Sequence, residues 1–233
     1  METKIKQLRR RIIDVAYRDS MGHIPSALSI LNIIWTLYDR VKMADDVFLL
    51  SKGHGCMALY AVLEEKGLLS WNDKLMGHPL RGGAITASTG SLGHGLPMAV
   101  GMAKAKKIKG EAGRVFCLIG DGECNEGTIW ESALIAAHHK LDNLVVIVDW
   151  NKSSERALQL GSLSDKFYAF GFSIWNIFGH SEREIQQALE TKSDKPLMII
   201  ADTIKGYGVD LMRDNPEFHN KKLTKELYEA AIS

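Results

Sequence analysis

The sequence predicts an α/β fold, a doubly wound, mainly parallel sheet with helices on both faces. Three observations lead there. Beyond residue 113, short apolar runs alternate with amphipathic stretches of helical length. Runs such as VFCLI and LVVIV are apolar at every position, the mark of strands covered on both sides. Two of those runs end on short Gly/Asp/Asn loops, where open α/β sheets place their ligands. A chain of 233 residues suits one domain with a sheet and its covering helices.

The elements follow in order along the chain. Ile5, Leu8, Ile12, Val15 and Ala16 share one face of a helix over about 4–18. A second amphipathic helix runs from Pro25 or Ser26 to about Asp39. VFLLS at 47–51 reads as a strand ended by Gly53, and a helix over 55–66 stops at Gly67. Residues 70–91, rich in Gly, Pro, Ser and Thr, read as a loop long enough to be functional. A small-residue helix over 92–107 comes next. Strand RVFCLI, helix TIWESALIAAHHK, strand LVVIVD and a helix around 163–170 follow. Strand FSIWNIF, helix SEREIQQALE and strand PLMIIADT complete the alternation. The tail around 207–220 is polar and irregular, and a last helix spans about 223–232. There is no internal repeat and no low-complexity linker.

Composition narrows the function. Hydrophobic residues are 45% and charged residues 24%, the balance of a soluble globular chain. A formal net charge of +1 gives no overall field for nucleic acid or an anionic membrane, so any bound anion must be gripped locally. The charged N-terminus is neither a signal peptide nor a membrane span. No later run reaches the roughly 18 apolar residues a span needs. Cys56, Cys117 and Cys124 lack metal-site spacing and cannot all pair, which fits a reducing cytoplasm. The Gly-rich fingerprint of a dinucleotide fold, a P-loop and zinc-type Cys/His spacing are all absent.

The two strand-end loops carry chemistry. Gly120-Asp121-Gly122 follows VFCLI, and Asp149-Trp150-Asn151 follows LVVIV. Gly122 lets backbone approach a phosphate closely, and the helix beyond it offers free N–H groups to an anion. Asp121 and Asn151 are hard oxygen donors suited to Mg²⁺, which takes one or two protein oxygens beside phosphate oxygens. One loop, helix and strand separate them, so both can face one metal. A GDG alone is usually a turn, and an Asn after a strand is often a cap. Finding both at successive strand ends favours the metal.

GDGECNEGTIWESALIAAHHKLDNLVVIVDWN resembles the thiamine diphosphate signature in its transketolase form. MGHIPSALS, SKGHGCMALY, MGHP with TGSLGHGLPMAVGMA, and TIKGYGVDLMRDNPEFHN resemble further transketolase segments, in the same order, over residues 20–220. The resemblance implies a single diphosphate- and Mg²⁺-binding domain over 1–233, with Ca²⁺ or Mn²⁺ able to replace the metal. It implies Asp121, the Asn151 side chain and the Ser153 carbonyl as metal ligands. His54 and the Gly122 amide would contact the diphosphate, Gly120 and Glu123 would also contact the cofactor, and Gly90, Ser91 and Leu92 would approach its aminopyrimidine ring through backbone groups. Glu126 would lie near the cofactor and the subunit interface. His23, His78 and His219 match histidines of the substrate channel, where imidazole can exchange protons with sugar hydroxyls near neutral pH. His138 and His139 read as structural. His94 stands where the family commonly has glutamine, and His180 has no assignment.

The sequence departs from the family twice. After Asn151, where relatives carry apolar side chains against the thiazolium ring, it has Ser153 and Glu155 in a shortened segment. A buried Glu there would need a partner. The pyrimidine-binding domain is also absent, so a separate chain is expected to supply it in an α₂β₂ assembly, with the small-residue helices MAVGMAKA and ALIAAHHK at the interface. The implied activity is transfer of a two-carbon ketol unit between sugars or sugar phosphates. The alternatives are a deoxyxylulose-phosphate synthase-like or 2-oxo acid dehydrogenase-like component, or a scaffolding protein without cofactor.

Overall fold

A computed structural model describes residues 2–71, 77–156 and 158–232. The five expected strands are β1 (Val47–Leu50), β2 (Val115–Gly120), β3 (Leu144–Trp150), β4 (Ser173–Phe178) and β5 (Leu197–Asp202). They form one sheet in the order β1-β2-β3-β5-β4, and every pairing is parallel. The chain steps outward from β3 to the edge at β4, then returns to insert β5 between them.

The helices are α1 (Glu2–Arg18), α2 (Ile24–Thr36), α3 (Cys56–Glu65), α4 (Gly95–Lys109), α5 (Gly127–His138), α6 (Leu163–Ala169), α7 (Glu182–Glu190) and α8 (Lys225–Ile232). The uniformly apolar strands feed two separate cores, because successive side chains point to opposite faces. Along β2, Phe116 and Leu118 join the core beneath α1, α2, α3 and α7. Val115, Cys117 and Ile119 join the core beneath α4, α5 and α6. Helices therefore cover both faces, as expected.

The differences from expectation lie at element ends. The second helix turns π-helical over Leu37–Val41, where the Lys42 N–H reaches the Leu37 carbonyl at 2.8 Å. The helix expected from 92 begins at Gly95, because Gly93 adopts φ +81°, which a helix cannot accommodate. It runs on to Lys109 and ends on Gly110 in the left-handed conformation. Of the 70–91 loop, residues 72–76 lie outside the described ones. The remainder is irregular apart from one antiparallel bridge, Gly82 to Ile85. All three cysteines are free and buried. No helix among the described residues is long and apolar enough to cross a membrane.

Phe116, fully buried on the central part of the sheet, offers a direct test of the first core. Phe116→Ala should destabilise the fold by about 3–5 kcal/mol, read as a lower urea midpoint at unchanged slope. A much smaller loss would mean that this face is loosely packed.

Candidate active site

The carboxyl ends of β1, β2, β3 and β5 open onto one cleft of about 390 Å³. Each strand delivers a short polar segment there. β1 is followed by Ser51, Lys52 and a 3₁₀ turn, Gly53–Gly55. A 3₁₀ turn over Asp121–Asn125 follows β2, Asn151 follows β3, and Thr203 to Lys205 follow β5. Of the expected site residues, His23, His54, His78, His219, Gly90, Leu92, Gly120, Asp121, Gly122, Glu123, Asn151 and Ser153 line the cleft. Ser91 and Glu126 do not. Ser91 Oγ lies 3.1 Å from His94 Nδ1, and Glu126 is exposed at the start of α5.

Asp121 and Asn151 share this cleft, as their places at neighbouring strand ends require. Asp121 Oδ1 accepts the Gly122 N–H at 2.8 Å, and its Oδ2 accepts the Ser154 N–H at 3.0 Å. Asn151 Oδ1 accepts the Ser153 N–H at 3.1 Å. The backbone after Asn151 thus folds over both oxygen donors, and a bound cation would compete with those N–H groups. A Cβ built on Gly122 would meet nothing within 4 Å, so the turn faces open space. Ser26 Oγ and His23 Nδ1, both in the cleft wall, are buried without a hydrogen-bond partner. Hard oxygen donors, open space before the turn and unpaired polar atoms together fit a bound diphosphate with its cation. Glu155 is half-buried in the turn Ser154–Arg156 and is not part of the cleft wall.

Beneath these groups lies a network the sequence does not disclose. Asp149 is fully buried on β3. Its carboxylate accepts hydrogen bonds from Lys52 Nζ, Thr203 Oγ1, Ser29 Oγ (2.8 Å) and Asn151 Nδ2 (2.8 Å). Burial pushes the Asp149 carboxyl up, but the Lys52 ammonium and the hydroxyl donors outweigh it, so the net shift is downward. Lys52 is 1% exposed, and its Nζ also donates to the Ser26 carbonyl at 3.2 Å. Only the burial of Lys52, not its partners, has a signal in the sequence, since in SKGHG a lysine inside a Gly-rich turn beside an expected site histidine is poorly placed for solvent.

Glu123 serves the loops. Its Oε1 accepts Ser51 Oγ at 2.5 Å and the Gly93 N–H at 2.9 Å, while Oε2 accepts the Gly120 N–H at 2.9 Å. One carboxylate therefore ties together the segments after β1 and β2 and the start of α4. Burial raises its pKa against those stabilising bonds.

Four histidines ring the cleft. The His23 ring centroid lies 5.3 Å from those of both His54 and His219. His23 sits at φ +59°, in the left-handed region that costs a residue with a Cβ. Gly22 before it lies so close to Asn220 that a Cβ would collide with that side chain, which draws the loops carrying His23 and His219 together. His219 Nδ1 lies 3.3 Å from Lys205 Nζ. The His78 carbonyl accepts Tyr60 Oη at 3.0 Å, and the His78 ring crowds Gly90 at 3.0 Å from where a Cβ would stand. Burial, then the neighbouring Lys52, lowers His54 to about 2. Burial lowers His23, helped by His219, and lowers His219, helped by Lys205.

These shifts have a pH signature. The unfolded chain takes up protons near pH 6.5 that the folded imidazoles refuse, so stability is complete above that pH and falls as pH drops below it. For His54 the loss is about 2 kcal/mol between pH 6.5 and 5, at ~1.4 kcal/mol per pH unit. His54→Gln should flatten the stability–pH curve over that interval in urea titrations. An unchanged slope would show that His54 protonates freely in the folded chain.

A family model described as transketolase, thiamine diphosphate binding domain, matches residues 1–231. An apulose-4-phosphate transketolase subunit of Phocaeicola vulgatus is 35% identical, over 100% of this chain and 92% of its own length. A 6-deoxy-6-sulfo-D-fructose transketolase subunit of Clostridium sp. is 36% identical over 97% of this chain and 92% of its own. Transketolase of Homo sapiens is 36% identical, but this chain spans only 40% of its length. The crystal structure of transketolase from Campylobacter jejuni superposes with a TM-score of 0.86 at 29% identity, over 98% of this chain and 41% of that one. The chain belongs to the transketolase family, as its thiamine diphosphate binding domain.

Proposed function

We propose that this chain is the diphosphate-binding subunit of a two-chain transketolase, which transfers a two-carbon ketol unit from a ketose, free or phosphorylated, to an aldose acceptor. The observation that carries this reading is the meeting of Asp121 and Asn151 with His23, His54, His78 and His219 in one cleft at the carboxyl edge of a parallel sheet. The bacterial relatives whose names describe transketolase subunits match this chain over nine-tenths of their length, which supports the two-chain form. Residues 1–233 form one cofactor-binding domain in this reading, and a separate pyrimidine-binding chain completes the site in an α₂β₂ assembly in the cytoplasm. Leu134 and Ile135, 58% and 47% exposed on α5, give that chain an apolar surface to cover.

When bound, thiamine diphosphate supplies the nucleophilic carbon and the electron sink for cleaving a carbon–carbon bond. The chain's own residues hold, orient and move protons. Asp121, the Asn151 side-chain carbonyl and the Ser153 carbonyl would hold Mg²⁺, or Ca²⁺ or Mn²⁺ in its place. Gly122, with the turn after β2, gives the diphosphate close backbone access. Lys52 keeps Asp149 ionised and Asn151 oriented, so the second oxygen donor is set before the metal arrives. His23, His78 and His219 exchange protons with substrate hydroxyls. The neutral forms of His23 and His219, favoured by burial, can accept a proton at once. The Lys205 ammonium beside His219 favours negative charge developing on a substrate oxygen.

Two measurements test the reading. Calorimetry should show thiamine diphosphate binding with Mg²⁺ in the presence of the partner chain, lost in Asp121→Ala while cooperative unfolding persists. Equal binding by the variant would place the cation elsewhere. In the assembled enzyme, His219→Gln should lower kcat for ketol transfer by roughly 10²–10⁴-fold with little change in cofactor affinity. A normal kcat would remove His219 from proton transfer, and no ketol transfer by the assembled parent enzyme would return the scaffolding alternative.

A further inference from the structure

Away from the cleft, a second cavity of about 370 Å³ lies between α1, α2, the β4–α7 junction and the segment 207–213. Its wall contains an unusual set of unmet polar groups. Arg9 Nε, Asn32 Oδ1 and His180 Nδ1 are all buried and all lack a hydrogen-bond partner. His180 is only 8% exposed, and its Nε2 accepts the Ile204 N–H at 2.8 Å. That bond fixes the tautomer, leaving the proton on Nδ1 as a donor with nothing to donate to. Three such atoms around one space are costly if the space stays empty of polar matter, since each forfeits a hydrogen bond it had in water.

The wall is also built to stay in place. His180 stacks on Tyr207, with ring centroids 3.7 Å apart and planes at 11°. The Arg9 guanidinium lies over the same Tyr207 ring at 5.9 Å. Gly208, at φ +83°, comes so close to Arg9 that any Cβ would collide with the guanidinium. The charges are unevenly matched. Of the two carboxylates in the wall, Glu2 pairs with Lys6 at 3.0 Å and Glu182 with Arg40 at 3.6 Å. Neither Arg9 nor Arg213 forms an ion pair among the described residues.

We propose that this cavity is a second ligand site, which takes a small hydroxylated phosphate monoester between Arg9, His180 and Arg213. Two guanidinium groups and a fixed imidazole N–H are donors suited to a phosphate, and the Asn32 carbonyl asks for a hydroxyl donor from the same ligand. The volume lies toward the small end of ligand pockets, which limits the rest of the molecule to a few carbons.

The test uses the full chain with ¹³C-labelled histidine rings, titrated with glycerol 3-phosphate and, separately, inorganic phosphate at constant ionic strength. The His180 signal, identified by its loss in His180→Gln, should move saturably, and Arg213→Ala should weaken that movement while leaving any response of His23 and His54 to phosphate in the cleft unchanged. Arg213→Ala removes an exposed side chain at the rim and should leave the fold intact, yet weaken binding by roughly tenfold. Stronger binding of glycerol 3-phosphate than of inorganic phosphate would support the hydroxyl contact to Asn32. The proposal fails if only the cleft histidines move, if chloride gives the same response, or if Arg213→Ala binds as tightly as the parent. It fails equally if no signal moves, which would mean that water alone satisfies the three atoms.

Discussion

Asp149 stands at the end of the central strand β3 with no exposure to solvent, and four segments of the chain meet on its carboxylate. Lys52 arrives from the turn after β1, Ser29 from α2, Thr203 from the end of β5, and Asn151 from two residues farther along. A lone carboxylate so deep would be strongly disfavoured, and a lone Lys52 ammonium equally so. Together, with every hydroxyl and amide donor aligned, they are tolerable, and the geometry that makes them so also aims Asn151 and anchors the turn carrying His54. The cleft therefore inherits its shape from an ion pair that need never touch substrate. Deleting either partner would leave a buried charge uncompensated, at a cost of about 3–5 kcal/mol, and would free the segments around it.

The electrostatics of the cleft follow from the same arrangement. Lys52 and Lys205 are both almost wholly buried near the opening, and His23, His54 and His219 are pressed toward neutrality. Positive charge is thereby fixed on two ammonium groups rather than spread over histidines that would titrate near neutral pH. Asp149 balances Lys52 from below. The opening is left suited to an anion while neutral His23 and His219 stay available for proton exchange.

Much of this is legible in the sequence, and the boundary between legible and hidden has a physical basis. Strand runs such as VFCLI and LVVIV are apolar throughout because both faces of the sheet are covered, and that pattern shows in the sequence directly. Asp121 and Asn151 can be paired because successive parallel strands deliver their ends to one edge. Helix starts are hidden where glycine governs them, as at Gly93 and Gly95, whose close neighbours Glu126, Thr128 and Ser51 come from distant segments. The Asp149 network and the loop-binding role of Glu123 are hidden for the same reason. Their partners are set by tertiary placement, and an acidic residue beside a strand end reads locally as a turn or a ligand. His180 has no meaning in the sequence alone because that meaning lies in Ile204, Tyr207 and Arg9, none of which is near it in a periodic pattern.

The all-parallel pairing has a consequence for how the molecule comes into being. Parallel neighbours cannot be joined by a tight hairpin, so each pairing waits for a crossover to close, and the cleft draws on residues from His23 to His219. Such long-range topology folds slowly and leaves apolar strand edges exposed along the way. The cleft is assembled only when the segments carrying His23 and His219 have docked, so a ligand-competent cleft reports that the sheet between them has formed.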